Sequence, residues 1–416
     1  MTESTATTAT EDQPEVLPYN PFDPAFHSDP YATYRALRAT HGSVVRTGAG
    51  VAVLGYKDVM GVLRNPKLGR GEGAGYQDTL IPTPEGLRPA VMFMDPPDHT
   101  RIRALVNKAF TPRAVERLRG PAEQLAAKLV AAAAEISAAQ GQVDLTSTLF
   151  RPFGAGVLNI LVGVPESYLA QCIEYANDAG RGLDPAYTLA PEALANRMKA
   201  RDGYVEMATE LIEKRREHPV DDLMSELVLA EQDGEHLTEI ELLTTVANVF
   251  LAGFSAPQAA MGLAALALLR HPDQREWYGA HPEEAPASVE ELLRFDSAVQ
   301  LINRTVLQDT EVGGVQVREG EEVFMLLGAA NRDPAIYEEA DRLDLSRRSG
   351  VRNIGFGHGI HFCVAAPIAK LGIEVVLNAL APYDIELVTP DPATNGALAI
   401  RSLAELPVTI RPRTAG

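Results

Sequence analysis

The run Phe356-Gly357-His358-Gly359-Ile360-His361-Phe362-Cys363 constrains this chain more than any other stretch. It sets one cysteine after a glycine-rich loop and directly before a helical pattern, Val364 to Leu380. A thiolate there sits near a helix N-terminus, where free N–H groups and the helix dipole favour negative charge. Gly357 and Gly359 can adopt backbone conformations closed to other residues and can approach a flat ligand closely. A lone cysteine is most often an inert, buried thiol. The combined spacing of Phe, two Gly, His and Cys sets this one apart.

Composition narrows the field. The chain has 416 residues, 46% of them hydrophobic, enough for one large core or for two domains on length alone. Its 37 basic and 56 acidic residues give a net charge of −19, which disfavours nucleic acid and anionic membrane as partners. The two cysteines, Cys172 and Cys363, cannot form a disulfide framework. Cys172 lies in a helix-like stretch, Tyr168 to Ala176, and reads as a buried structural thiol. Met1 to Glu15 has neither a basic n-region nor an apolar h-region. Residues 1–18 are expected to be a disordered tail, no run to span a membrane, and the location to be cytoplasmic.

Periodicity predicts a mainly α protein with a minor, segregated β portion, in a single domain over residues 19–413. Helices are expected at Pro30 to His41 and Tyr56 to Asn65, and from His99 to about Leu293, with breaks at Gly141, Pro165, Pro185, Pro219 and Gly234. Ser43 to Leu54 reads as a strand pair turning at Gly48-Ala49-Gly50. Val306 to Phe324 reads as short strands with a Gly313-Gly314 hairpin, and Ile385 to Ile410 as strand-like. Gly69 to Pro97 is a long loop, a length usually tied to function.

The cysteine run resembles the haem-binding segment of the cytochrome P450 family, in which a cysteine thiolate ligates the iron. Three positions depart from the usual pattern: Ala365 stands where glycine is usual, and Ile368 and Lys370 replace leucine and arginine. The resemblance makes Cys363 the axial ligand, packs Phe356 and Gly357 on the thiolate side of the haem, and directs His361 to a propionate. Further motifs follow the family order from Asp95 to Lys370. Glu291-Leu292-Leu293-Arg294 matches its structural Glu-x-x-Arg pair, and Ala330-Asn331-Arg332-Asp333-Pro334 a structural string. His99, Arg103 and Arg304 match its propionate partners, chemistry that suits imidazolium and guanidinium.

The long helix from Glu239 to about Leu269 is the unusual part. In the family it crosses the haem face where oxygen binds and carries Ala-Gly, a variable residue, an acid and a threonine. Here Ala252 and Gly253 match, but Ser255 holds the acid's place and Ala256 the threonine's. These are the catalytic positions, where the family relays protons. Alanine has no group that can do so. Pro257 removes one helical N–H and is expected to kink the helix at Gly253. The resemblance implies haem b, O2, and electrons from NAD(P)H through ferredoxin and ferredoxin reductase. The pocket is expected between the loop Gly71–Met94, the helix at Leu251–Ala256 and Ala298–Ile302. Met92, Leu251, Ser255, Ala256, Val299, Leu301 and Ile302 would contact a lipophilic small molecule, free or carrier-bound. The expected activity is a monooxygenase tailoring step in natural-product biosynthesis with proton delivery by substrate or water. Two alternatives stand beside it: a haem-thiolate oxidase that couples or rearranges radicals without inserting oxygen, and a catalytically silent haem module that recruits another enzyme.

Overall fold

The apolar stretch after Thr238 becomes a single helix, Glu239–Arg270, at the centre of the molecule. Its start is fixed by a capping box: the Thr238 hydroxyl accepts from the Glu241 N–H, and the Glu241 carboxylate accepts from the Thr238 N–H. Beyond Pro257 the helix is buried on nearly all sides, from Ala259 to Leu268, as befits one apolar all round. By length and composition it could cross a membrane, contrary to the sequence expectation, yet 61% of its most apolar window is buried inside the protein. The computed structural model describes residues 24–71, 89–164, 168–179, 184, 189–232 and 234–413. The expected N-terminal tail, most of the 69–97 loop, and the breaks at Pro165 and Pro185 lie outside the described residues.

Two apolar clusters grip the central helix. Its C-terminal half packs with the helices Pro112–Gln140 and Ala366–Leu380 through Val130, Leu263, Leu266 and Val376. Each such side chain contributes about 1.5–3 kcal/mol on burial. Its N-terminal half packs against the helices Arg151–Val162 and Pro191–Glu217. There Tyr204 stacks on Phe250 and Phe254, with ring centres 5.9 and 6.3 Å apart. The helix continues as one element through Pro257, which has no N–H to donate to the Gly253 carbonyl.

The β portion is small and set to one side. The main sheet orders its strands Val44–Thr47, Gly50–Val53, Glu322–Leu326, Leu301–Val306 and Leu68–Gly69. All its pairings are antiparallel except that of Gly50–Val53 with Glu322–Leu326. The predicted hairpin at Gly313-Gly314 joins Thr310–Val312 to Val315–Val317, with both glycines at positive φ. The strand expected over 385–410 forms only at its ends, Tyr383–Leu387 and Pro407–Pro412. Between them Pro390 and Pro392 cannot donate to a ladder.

Candidate active site

The cysteine loop is built as a close approach between backbone segments. Gly357 and Gly359 both have φ +71°, a region that favours glycine. A Cβ on Gly359 would lie 2.7 Å from the Leu63 carbonyl oxygen, so only glycine lets the loop lie on the helix Tyr56–Arg64. The Cys363 N–H donates to Phe356 O at 3.0 Å, closing the loop just before the helix Ala366–Leu380. Phe356 is half-buried against the main core, with Lys370 Nζ 5.3 Å from its ring centre. Burial raises the Cys363 thiol above its usual range; the Ala365 N–H, Arg103 and the Ala366 N–H pull the other way. A metal cation on the sulfur would settle that contest, because a coordinating thiol is deprotonated outright.

The loop is held from behind by a buried ion network. Glu291 and Arg294 are 5% and 2% exposed, and their bidentate pair measures 2.6 and 2.8 Å. Arg294 also donates to the carbonyls of Asn331, Ala340 and Arg342. Glu291 accepts in addition from Arg347 Nε and the Asp344 N–H, both at 3.1 Å. The link to the cysteine loop is Asn331. Its Oδ1 accepts from the Ile354 N–H at 2.9 Å, and Ile354 O accepts from Gly357 N at 2.9 Å. The sequence named Glu291 and Arg294 but missed Arg347, whose only signal was a pair of adjacent arginines.

Above the loop, cationic groups converge. His99 and Arg304 are 2% and 3% exposed, and the His99 and His361 rings lie 4.3 Å apart. Burial, then Arg304 and Arg70, push His361 down to about 2, and burial pushes Arg304 down to about 10. Burial and Arg103 lower His99 as well. Arg103 donates to the Phe362 carbonyl at 2.5 Å, beside the cysteine. Arg70, which the sequence did not single out, joins the set by donating to the Asn303 carbonyl and side chain at 3.3 Å. Asp95 is the acid that faces this group, and it is already engaged by the N–H groups of Arg70 and Gly71. Among the described residues, both ring nitrogens of His99 and of His361 are buried without a hydrogen-bond partner. Orphaned imidazoles among arginines, beside a cysteine in a glycine cradle, fit a planar group that carries iron and carboxylates. Cys363 would hold the iron, and His99, Arg103, Arg304 and His361 the carboxylates of haem.

The central helix supplies the opposite wall. Gly253 packs on Leu158, where an added Cβ would lie 3.1 Å from Leu158 Cδ1, which turns this glycine toward the neighbouring helix. Ser255 is buried, Ala256 packs toward the main core, and Leu251 joins a cluster that includes Val91, Met94 and Val364. Ala252 precedes Ala256 by one turn on the same helix face. Met92 is half-buried in the turn Val91–Phe93, and Val299 pairs with Ile400. Strand alternation puts Ile302 on the Arg304 face of Leu301–Val306, and Leu301 on the other. Leu301 packs against the Tyr31–Tyr34–Leu37 cluster and does not belong to the expected wall.

Fold and site together define a haem-thiolate protein. The family profile described as Cytochrome P450 matches residues 30–276 and 285–389, and the chain belongs to that family. It is 34% identical over 406 residues to Cytochrome P450 107B1 of Saccharopolyspora erythraea, covering 93% of this chain and 96% of that one. It is 32% identical to the 6-deoxyerythronolide B hydroxylase of the same organism, covering 92% and 96%. Among solved structures, the bacillaene polyketide synthase P450 PksS of Bacillus subtilis superposes with a TM-score of 0.83 at 31% identity, over 94% of this chain and 99% of that one. P450BioI, solved with an acyl carrier protein bearing hexadec-9Z-enoic acid, also reaches 0.83, at 29% identity over 93% and 99%. The chain is therefore a haem b monooxygenase that uses O2 and takes electrons from NAD(P)H through redox partners.

Proposed function

We propose that this monooxygenase tailors a lipophilic natural-product intermediate, with protons delivered by ordered water or by the substrate itself. Bound haem supplies the iron at which O2 is activated. The overall change converts R–H, O2, two electrons and two protons into R–OH and water. The protons must cross the site, and the observation that carries the reading is the segment Ser255-Ala256-Pro257. Ser255 is buried and has no titratable group, and Ala256 has no polar atom. Leu251, Val299 and Ile302, apolar and half-buried, support an apolar substrate, as does the likeness to 6-deoxyerythronolide B hydroxylase and to PksS. The carrier complex of P450BioI supports delivery on a carrier. Ferredoxin and its reductase are the proposed electron route. A cytoplasmic location is part of the same proposal, supported by burial of the central helix.

The test is a compound screen by Soret shift, followed by turnover under ¹⁸O2 and mass analysis of the product. One ¹⁸O per product molecule is expected. An unlabelled coupled or rearranged product would replace this reading with oxidative coupling. Full haem with no turnover of any binding compound would replace it with the recruitment module.

A further inference from the structure

We propose that Thr244, Asn248 and Ser255 form a proton path along one face of the central helix. The inference rests on the monooxygenase reading and names the residues that would serve it. At 3.6 residues per turn these three side chains fall within roughly 40° of one another around the axis. The other faces are taken. Gly253 faces Leu158, and Phe250 and Phe254 face Tyr204. The stripe thus lies on the side away from both neighbouring helices, adjoining Ala252, with the apolar Leu251 set between Asn248 and Ser255.

The three side chains are left without protein partners. Among the described residues, Thr244 Oγ1 is buried with no hydrogen-bond partner, and Asn248 and Ser255 make no side-chain hydrogen bond. Two helical hydroxyls elsewhere in the chain do find a partner in their own backbone. Thr209 Oγ1 donates to Val205 O at 2.9 Å, and Ser288 Oγ to Glu284 O at 3.0 Å, the usual back-bond to the preceding turn. A buried hydroxyl that declines its own backbone needs another partner, and in a polar channel that partner is water.

The spacing suits a file of water. At 1.5 Å per residue, Thr244 and Asn248 are about 6 Å apart along the axis, and Asn248 and Ser255 about 10 Å. Ile240, one turn before Thr244 on the same face, is 41% exposed, so the stripe starts at the surface. It ends beside Ala256, where the side-chain relay is missing. Hydroxyl and amide groups both donate and accept, so each can hold a water in a chain that passes a proton on. These are positioning residues; the protons come from solvent.

The test uses the haem-loaded chain and needs no substrate. Dithionite-reduced protein is mixed with O2 in H2O and in D2O, and the return of the ferric Soret band is timed. One electron passes to O2, which leaves with one proton as HO2, so proton supply enters the rate. Asn248→Leu is expected to slow this on the order of tenfold, with a larger D2O effect, because positioned proton transfer contributes roughly 10²-fold or more. Asn248→Ser should recover most of the rate. A high-resolution crystal structure should show waters joining Thr244, Asn248 and Ser255. Asn248→Leu at the wild-type rate and isotope effect overturns the path, as do Thr244 and Ser255 hydroxyls bonded to Ile240 and Leu251 carbonyls with no water between. A missing thiolate-type band in the reduced, carbon monoxide-treated wild type would remove the monooxygenase reading and the path with it; a normal band with unaffected variants removes the path alone.

Discussion

Glu291→Ala should separate folding of the cysteine loop from its chemistry. Glu291 is 5% exposed and accepts four hydrogen bonds: two from Arg294, one from Arg347 and one from the Asp344 backbone. Removing it leaves the Arg294 guanidinium, 2% exposed, as a buried charge facing only carbonyl oxygens and the Tyr337 ring. Breaking a buried pair in this way costs about 3–5 kcal/mol. With an unfolding entropy near 2.1 cal/mol/K per residue, the 416 residues convert that loss into a fall of about 3–6 °C in Tm. The damage should travel from Arg294 through Asn331 to Ile354 and Gly357, so haem occupancy should fall too. Calorimetry and the ratio of Soret to protein absorbance read both effects. A variant within about 1 °C of wild type and fully loaded with haem would show that the network does not support the loop.

Other outcomes follow from the same geometry. Gly359→Ala places a Cβ 2.7 Å from Leu63 O at a left-handed φ, and should cost about 1–3 kcal/mol and weaken haem retention, read by haem transfer to a competing apoprotein; unchanged retention would refute the close approach. His99 is held below its unfolded pKa of about 6.5 by burial and Arg103, so the folded haem-free chain binds fewer protons. Its stability should therefore fall as pH drops below about 6.5, by up to about 1.4 kcal/mol per pH unit. His361, pushed down further by burial and Arg304, adds to that slope, so haem carboxylates should flatten it and His99→Gln should remove only the share of His99; equal slopes in urea titrations of the loaded and haem-free chain would refute the pairing. Ala256→Thr should leave product formed per NAD(P)H oxidised nearly unchanged, and a large rise would show that the missing threonine merely impairs a conventional relay.

What the sequence revealed and what it hid divide along physical lines. Cys363 and the Glu291–Arg294 pair stood out because each sits in a short local pattern, whereas His361 and Arg304 were marked by the resemblance to the family; their roles toward haem are proposals. Gly313-Gly314 was legible because a tight hairpin needs positive φ, and the structure has it. Arg347 and Arg70 were not, because their roles arise from contacts with Glu291 and Asn303 far away in the chain. Leu301 looked like pocket wall because it is apolar and near Arg304. Strand alternation sends it to the N-terminal helices instead. The central helix stood out in the sequence only for Ser255, Ala256 and Pro257, and it took the packing of its other faces to expose the polar stripe.

The most direct test of the whole account is the optical spectrum of the reduced protein with carbon monoxide. The account predicts the long-wavelength Soret band of thiolate ligation in the wild type and its loss in Cys363→Ser with the fold intact by circular dichroism. A wild type without that band, or a Cys363→Ser variant that keeps it, would contradict the assignment of Cys363 as the iron ligand.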